Sequence, residues 1–398
     1  MIAANESRPC AVCGSERKLA LFEQRFATVG LVSSYTVVIC DQCGFAFADG
    51  IPPQSSFERY YRELSKYEYQ QREGRESPSD EARLRQIAAT LMNLIPGRDC
   101  RILEIGCASG RLLALLRAAG FEKARGLDPS PACAATAANM YGVEVHTGSV
   151  YDLPALGETY DFLILVGVLE HLCDLEGALS AVHGALEEHG RVYFDVPDCL
   201  QFADHVDAPY QQFSTEHINF FSPVSLVNLL HSHSFSTVFS AQSQREYTET
   251  SVMPVVHAVF EKARAAGAIE RDTISGPKLR EYIHRSEEVD RSMRVSLGRS
   301  LTERRPIIVW GVGTTTQRLL ATGGLDGVTI NAFVDSNPKY QGQTLRGVPI
   351  LAPEALSQRA EPILICSEVF RPEIERQIRE QLGLANEVLT LETRQEVA

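Results

Sequence analysis

Between residues 101 and 197 the chain switches repeatedly between short apolar runs and helical stretches, and this alternation limits its fold more than any other feature. Arg101–Ile105, ARGLD at 124–128, VEVHTG at 143–148, FLILVG at 162–167 and RVYFDVP at 191–197 read as strands. RLLALLRAAG (111–120), PACAATAANMYG (131–142) and LEGALSAVHGALEEHG (175–190) read as helices between them, and EARLRQIAATLMNLI (81–95) leads in. Strands separated by helices of about ten residues or more pair in parallel, with helices covering both faces. From residue 306 a shorter version begins: PIIVWGVG, a helix, VTINAFVD and EPILICSEV. The fold class is therefore α/β, with a parallel Rossmann-like sheet and a second, smaller Rossmann-like unit after it.

Four segments follow from this reading: a cysteine-bearing module over 1–75, the main α/β domain over 76–262, a charged helical linker over 263–305, and the C-terminal unit over 306–398. In the first, FERYYRE looks helical, and GRESPSD reads as an exposed turn or linker. A chain of 398 residues with 44% hydrophobic content can bury two or three cores. Its formal net charge of −13 opposes binding to nucleic-acid backbones, which calls for a basic surface. A local basic pocket for one anionic metabolite stays open. No apolar run reaches the ~18 residues of a membrane span, and the start lacks a basic-then-apolar signal. A soluble, cytoplasmic protein is the expectation, and the oligomeric state is not readable.

Cys10-Ala-Val-Cys13 and Cys40-Asp-Gln-Cys43 are two CxxC pairs separated by 26 residues. Two intervening residues let both thiolates of a pair reach one tetrahedral metal, so the four cysteines read as a structural zinc site. Four thiolates leave no position for water, so this metal holds the fold and does no chemistry. The other six cysteines, Cys107 among them, read as small buried side chains.

Leu103-Glu104-Ile105-Gly106-Cys107-Ala108-Ser109-Gly110 ends a strand and opens a helix. Its glycines let the backbone pass close beneath a ligand. Asp128, at the tip of the next strand, can accept from both ribose hydroxyls. A dinucleotide fingerprint would need glycine at 104 and 109, where Glu and Ser stand. Gly148–Pro154 follows the third strand, and Tyr160-Asp161-Phe162 opens a fourth that runs to Gly167-Val168-Leu169-Glu170-His171. These segments, in this order, resemble the class I S-adenosylmethionine (SAM)-dependent methyltransferases. The resemblance implies that Glu104, Gly106, Cys107, Ala108 and Gly110 cradle the methionine end, with Asp128 and Pro129 at the ribose. It places Ser149 and Val150 beside the adenine and Gly167 at the fourth strand's end. That family often has an acid where Ser149 stands.

After the fifth strand comes Tyr210-Gln-Gln-Phe-Ser-Thr-Glu216-His217-Ile-Asn-Phe-Phe221-Ser222, a polar and aromatic loop at the sheet's C-terminal edge. Histidine is suited to take a proton near neutral pH, and a neighbouring carboxylate can orient it. The alternative is a histidine that merely caps the helix SPVSLVNLLHSH. The cysteine module, the SAM segments, this loop and the C-terminal unit together resemble the sugar C-methyltransferases that act on nucleotide-linked ketosugars. That resemblance implies catalytic roles for His217 as base, Glu216 as the group positioning the sugar or the histidine, and His171 as stabiliser of a developing oxyanion. It also implies acceptor contacts from Glu170, Tyr210, Ser214 and Asn219, with closure by a tyrosine among Tyr60, Tyr61 and Tyr67. In the C-terminal unit, Gly311, Gly313 and Thr314 would meet a phosphate and Asp335 a ribose. Two departures stand out: Ser214 replaces the family's tyrosine, and Trp310–Thr316 replaces a turn with tyrosine and lysine. Methylation at oxygen or nitrogen of another metabolite, or a non-catalytic binding subunit, are the competing functions. His231 and His233, His183 and His189, and Glu287-Glu288 read as solvated helix positions.

Overall fold

The computed structural model describes residues 6–27, 31–64, 76–301 and 305–391. Tyr67 and the start of the GRESPSD stretch lie outside the described residues.

The N-terminal sheet is antiparallel. It contains Lys18–Arg25 (β1), Ser34–Cys40 (β2) and Ala46–Asp49 (β3), and Asn219–Phe220 (β9) from the main domain pairs with β3 at its edge. Helix α1 (Gln54–Leu64) follows β3. The 26-residue helix α8 (Ser275–Ser300) lies on this assembly. Its Leu279, Tyr282 and Ile283, spaced to share one face, join Val37, Ala48, Phe57, Phe213 and Phe220 in one buried cluster. The stretch read as a linker is thus a packed element.

The central sheet has seven strands. Ile102–Ile105 (β4), Ala124–Asp128 (β5), Val145–Thr147 (β6), Tyr160–Val166 (β7) and Leu186–Pro197 (β8) pair in parallel where they neighbour one another. The full order is β10-β11-β8-β7-β4-β5-β6, with Phe235–Thr248 (β10) and Ser251–Lys262 (β11) forming an antiparallel hairpin on the β8 edge. All four residues of β4 are buried, as both covered faces of a parallel strand require. Helices α2 (Pro78–Leu94), α3 (Arg111–Ala118), α4 (Pro131–Thr136), α5 (Leu153–Leu156), α6 (Leu175–Ala185) and α7 (Pro223–Ser232) complete the layers. From β4 the chain continues to β5 and β6 on one side and to β7 and β8 on the other. The loops after β4 and β7 therefore diverge, leaving a crevice at the strands' C-terminal ends.

Three local readings change. Helix α2 begins at Pro78, because Ser77 caps it by accepting from the Asp80 N–H at 3.0 Å, with Pro and two acids in the first turn. Helix α6 ends at Ala185 and not at 190, since Leu186 pairs with Tyr160 as strand and His189 adopts φ +69°. The β10–β11 hairpin was not anticipated, because β10 is a largely polar edge strand that buries little.

The C-terminal sheet has the order β14-β15-β13-β12-β16-β17, from Thr344–Leu345 (β14), Val348–Leu351 (β15), Ile330–Val334 (β13), Ile307–Trp310 (β12), Ile363–Ile365 (β16) and Val388–Thr390 (β17). Only β14 pairs antiparallel. Helices α9 (Thr314–Ala321) and α10 (Arg371–Arg376) accompany it. Among the described residues, no helix is long and apolar enough to cross a membrane.

Candidate active site

The glycine turn after β4 is shaped for a close ligand. Gly106 and Gly110 adopt φ +75° and +79°, and Ala108 is also left-handed at +46°. A Cβ at Gly106 would meet Val168 at 2.8 Å, and one at Gly110 would meet Ala137 at 2.9 Å. Asp128 braces the turn: one carboxylate oxygen accepts from the Ala108 N–H at 2.8 Å and the other from Ser130 N–H at 2.9 Å. Glu104 is buried beneath the turn, and one of its oxygens has no partner. Burial, with the nearby Asp128 charge, pushes its carboxyl well above the usual range. A cationic ligand would offset that cost, and SAM carries both a sulfonium and an ammonium; the residues present fit it.

Around this turn the other expected contacts fall as follows. The Cys107 sulfur lies buried beneath Gly126, whose Cβ would sit 2.4 Å from it, so Cys107 packs as a small side chain. Pro129 is half-buried beside Asp128. Asp152 caps Ser149, accepting from its N–H at 2.7 Å and its hydroxyl at 2.9 Å, while Val150 is buried. Gly167, at φ +65°, donates to the Asp195 carbonyl at 2.9 Å and faces Glu170.

On the other side of the crevice, two distant segments meet. His171 and His217 stand edge to face with ring centroids 4.9 Å apart. The His171 Nδ1 lies 3.1 Å from the Glu216 carbonyl oxygen and 2.9 Å from the Tyr61 hydroxyl. Both groups hold the Nδ1 side of the ring, which leaves the Nε2 edge turned to Glu170, 3.9 Å away. The imidazolium, with hydrogens on both nitrogens, can donate to an oxyanion from Nε2. The Glu216 carboxylate accepts from the Tyr60 hydroxyl at 3.1 Å. Tyr60 has one hydrogen to give, so the Tyr340 hydroxyl, 3.3 Å away, donates to Tyr60. Glu170 is buried, and its carboxyl is pushed up to about 8, chiefly by burial.

Two expected acceptor contacts are placed as braces. The Ser214 hydroxyl accepts from the Glu216 and His217 N–H groups at 3.2 and 3.1 Å, turning the loop. Asn219 is buried and donates to the Leu169 and Leu172 carbonyls at 2.7 and 2.8 Å, tying the His217 loop to the His171 turn. Tyr210, left-handed at φ +55°, stacks on Phe22 at 4.4 Å and lies under the Arg318 guanidinium at 5.0 Å. Arg318 also pairs with Asp290, so α9 and α8 both bear on the loop's start.

The C-terminal turn repeats the first one's design. Gly311 sits at φ +96°, Gly313 is extended, and Thr314 opens α9. Asp335 accepts from the Val312 N–H at 2.9 Å and the Asn337 N–H at 2.8 Å. The Thr316 hydroxyl donates to the Gly311 carbonyl at 2.5 Å.

The four N-terminal cysteines converge, with all sulfurs within 4.8 Å of one another. Cys10 lies 3.5 Å from Cys43 and Cys13 lies 3.5 Å from Cys40. A tetrahedral zinc with Zn–S of about 2.3 Å has edges of about 3.8 Å, so the cluster fits the ion. Gly14 and Gly44, at φ +70° and +82°, close the two knuckles by donating to the Cys10 and Cys40 carbonyls.

Sequence reading missed Arg8 and Glu76. Arg8 donates to the Ile218 carbonyl at 2.7 Å, the Asn219 side-chain oxygen at 2.9 Å and the Cys173 carbonyl at 3.3 Å, pinning both histidine segments. Glu76 accepts from the Tyr141 hydroxyl at 2.6 Å and from Ser109 in the glycine turn. No local signal marks either, because their partners lie far along the chain.

Residues 72–238 match a family described as a methyltransferase domain, and residues 303–388 match one described as C2185-like, N-terminal. The central unit is a methyltransferase domain with a Rossmann-like fold. No curated protein matches the chain. Similar solved structures include the 1,6-didemethyltoxoflavin-N1-methyltransferase of Burkholderia thailandensis, crystallised with 1,6-didemethyltoxoflavin and S-adenosylhomocysteine. It is 21% identical, covering 56% of this chain and 97% of that one at TM-score 0.42. The magnesium protoporphyrin IX methyltransferase of Synechocystis is 17% identical, covering 53% and 99% at TM-score 0.40. At these values neither likeness bears on the substrate.

Proposed function

We propose that this chain transfers the methyl group of SAM to a carbon of a nucleotide-linked ketosugar, with His217 as the base. The observation that carries the reading is the meeting of His217, His171 and the Tyr60-held Glu216 at the same sheet edge as the glycine turn. SAM, when bound, supplies an electrophilic methyl group. Glu104 and Asp128 would hold its cationic and ribose ends, and Ser149 and Val150 its adenine.

His217 takes a proton from the carbon next to the ketone, leaving an enolate as the nucleophile for that methyl. A positioned base of this kind contributes about 10²–10⁴ in rate. The imidazolium form of His171, its Nδ1 fixed by the Glu216 carbonyl, donates to the enolate oxygen. Glu216 orients the sugar. Asp335 and the Gly311–Thr314 turn, built like the SAM turn, hold the nucleotide. Zinc at Cys10, Cys13, Cys40 and Cys43 serves the fold alone. An oxygen or nitrogen acceptor would use the same base, so the atom methylated must be read from the product.

The test is transfer from labelled SAM to a panel of nucleotide-linked 4-ketosugars, with wild type and His217→Ala compared. Label on a ring carbon, lost in the variant while SAM affinity holds, supports the reading. Tight SAM binding without transfer to any ketosugar retires this acceptor class, and hydroxyl-bearing metabolites come next.

A further inference from the structure

Glu170, His171 and His217 each direct one ligating atom into a shared volume, and these three atoms lie within 4.8 Å of one another. We propose that they form a second metal site, for a borderline divalent transition ion such as zinc or cobalt(II), and that the ion inhibits methyl transfer by occupying the His217 lone pair.

Two observations besides proximity point to a ligand there. Glu170 is 3% exposed, and one of its carboxylate oxygens is buried without a hydrogen-bond partner. A buried polar atom left in that state is costly, and metal coordination is one way to satisfy it. Second, His171 has the arrangement of a metal-bound imidazole. Its Nδ1 is engaged by the Glu216 carbonyl at 3.1 Å and the Tyr61 hydroxyl at 2.9 Å, which holds the ring plane and turns the Nε2 edge toward Glu170.

The spacing is close to what an ion needs. His171 Nε2 is 3.9 Å from Glu170 Oε1, the other oxygen of the carboxylate whose Oε2 has no partner. Ligands about 2.0–2.1 Å from a tetrahedral centre stand about 3.4 Å apart, so this pair closes by roughly half an ångström. Two imidazoles and one carboxylate favour zinc, cobalt, nickel or ferrous iron over magnesium or calcium. Three protein ligands leave a position open, unlike the four-thiolate cluster. The charges acting on Glu170 from other elements are those of Asp195, which favours a cation, and Arg83, which opposes one. Arg83 is paired with Asp80 at 2.9 Å, which weakens its opposition.

Inhibition rests on the assignment of His217 as base; binding does not. The test is a titration of the full chain, its thiolate-bound metal already counted by native mass spectrometry, with cobalt(II) and then zinc. The expected result is one further equivalent, absent from His171→Ala and from Glu170→Gln. Cobalt there should give weak visible bands, without the intense near-ultraviolet absorption of cobalt thiolates. Methyl transfer should fall by more than about tenfold as the site fills, because a blocked base loses the greater part of its contribution, and a chelator should restore it. Glu170→Gln preserves side-chain shape, so its thermal midpoint separates lost binding from lost folding. No second equivalent in the wild type, or one that persists in both variants, overturns the site. Transfer that rises with occupancy overturns the inhibitory role. If no acceptor is methylated at all, the proposed function fails while the titration still decides the metal site.

Discussion

Asp335 stands to the glycine turn of the C-terminal unit as Asp128 stands to the first. Each closes a strand and accepts, on separate oxygens, from an N–H within its turn and from an N–H two residues beyond itself. Two turns of the same cradle-like design thus occur in one chain.

If the second cradle holds the nucleotide of the acceptor, Asp335→Ala should raise the KM for that acceptor while leaving SAM affinity alone. Losing a charged hydrogen-bond partner costs about 1.5–3 kcal/mol, which is roughly ten- to 150-fold. Steady-state kinetics with calorimetry of SAM checks this. A parallel loss of SAM affinity would mean the two turns are not separate sites.

Glu104 gives a pH prediction. Burial raises its carboxyl above the ordinary value, so the folded chain holds that proton more tightly than the unfolded chain does. Its contribution to stability is complete below the unfolded value near pH 4.5 and declines as pH rises through the folded one. Glu104→Gln should therefore flatten the fall in ligand-free stability above pH 4.5, measured by denaturant titration. The same change should weaken SAM binding by about tenfold or more, since the ligand's positive charge loses its buried partner.

Tyr340 and Tyr60 form a directed chain of hydroxyls ending on Glu216. Tyr60→Phe removes a buried donor to a carboxylate and should lower kcat/KM by about 1.5–3 kcal/mol. Tyr340→Phe should produce a smaller loss in the same direction, because it acts only through Tyr60. In the double variant the effects should not add. Additive losses would make Tyr340 independent of Glu216.

The thiolate cluster belongs to the main core. Cys10, Cys40 and Cys43 are buried in one cluster with Leu163, Phe194 and Phe221 of the methyltransferase domain. Chelation, or Cys40→Ser, should lower the thermal midpoint of the whole N-terminal and central body in one transition. Differential scanning calorimetry with zinc counted by mass spectrometry distinguishes this from a separately melting module.

What could be read from the sequence was local. The turn at Gly106, the acid at Asp128 and the paired cysteines each carry their chemistry within a few residues of spacing. The pairing of His171 with His217 was reachable only through family resemblance, because 45 residues of chain separate them. Arg8 illustrates the remainder: an arginine near the N-terminus, with nothing around it to mark it, touches residues 165 to 211 positions away. Polar β10 was missed for the opposite reason, since an edge strand that buries little leaves no apolar rhythm.

Strand β9 begins two residues after His217 and completes the sheet whose other strands hold the cysteine knuckles. The boundary drawn in sequence near residue 75 is consequently not a place where the protein can be cut and rejoined. A chimera that exchanges the N-terminal module must also bring a matched segment around 217–221, or the loop that carries His217 will be grafted onto a foreign edge. Inheritance of acceptor choice should therefore track these two distant stretches as a unit, and recombination between them should be selected against.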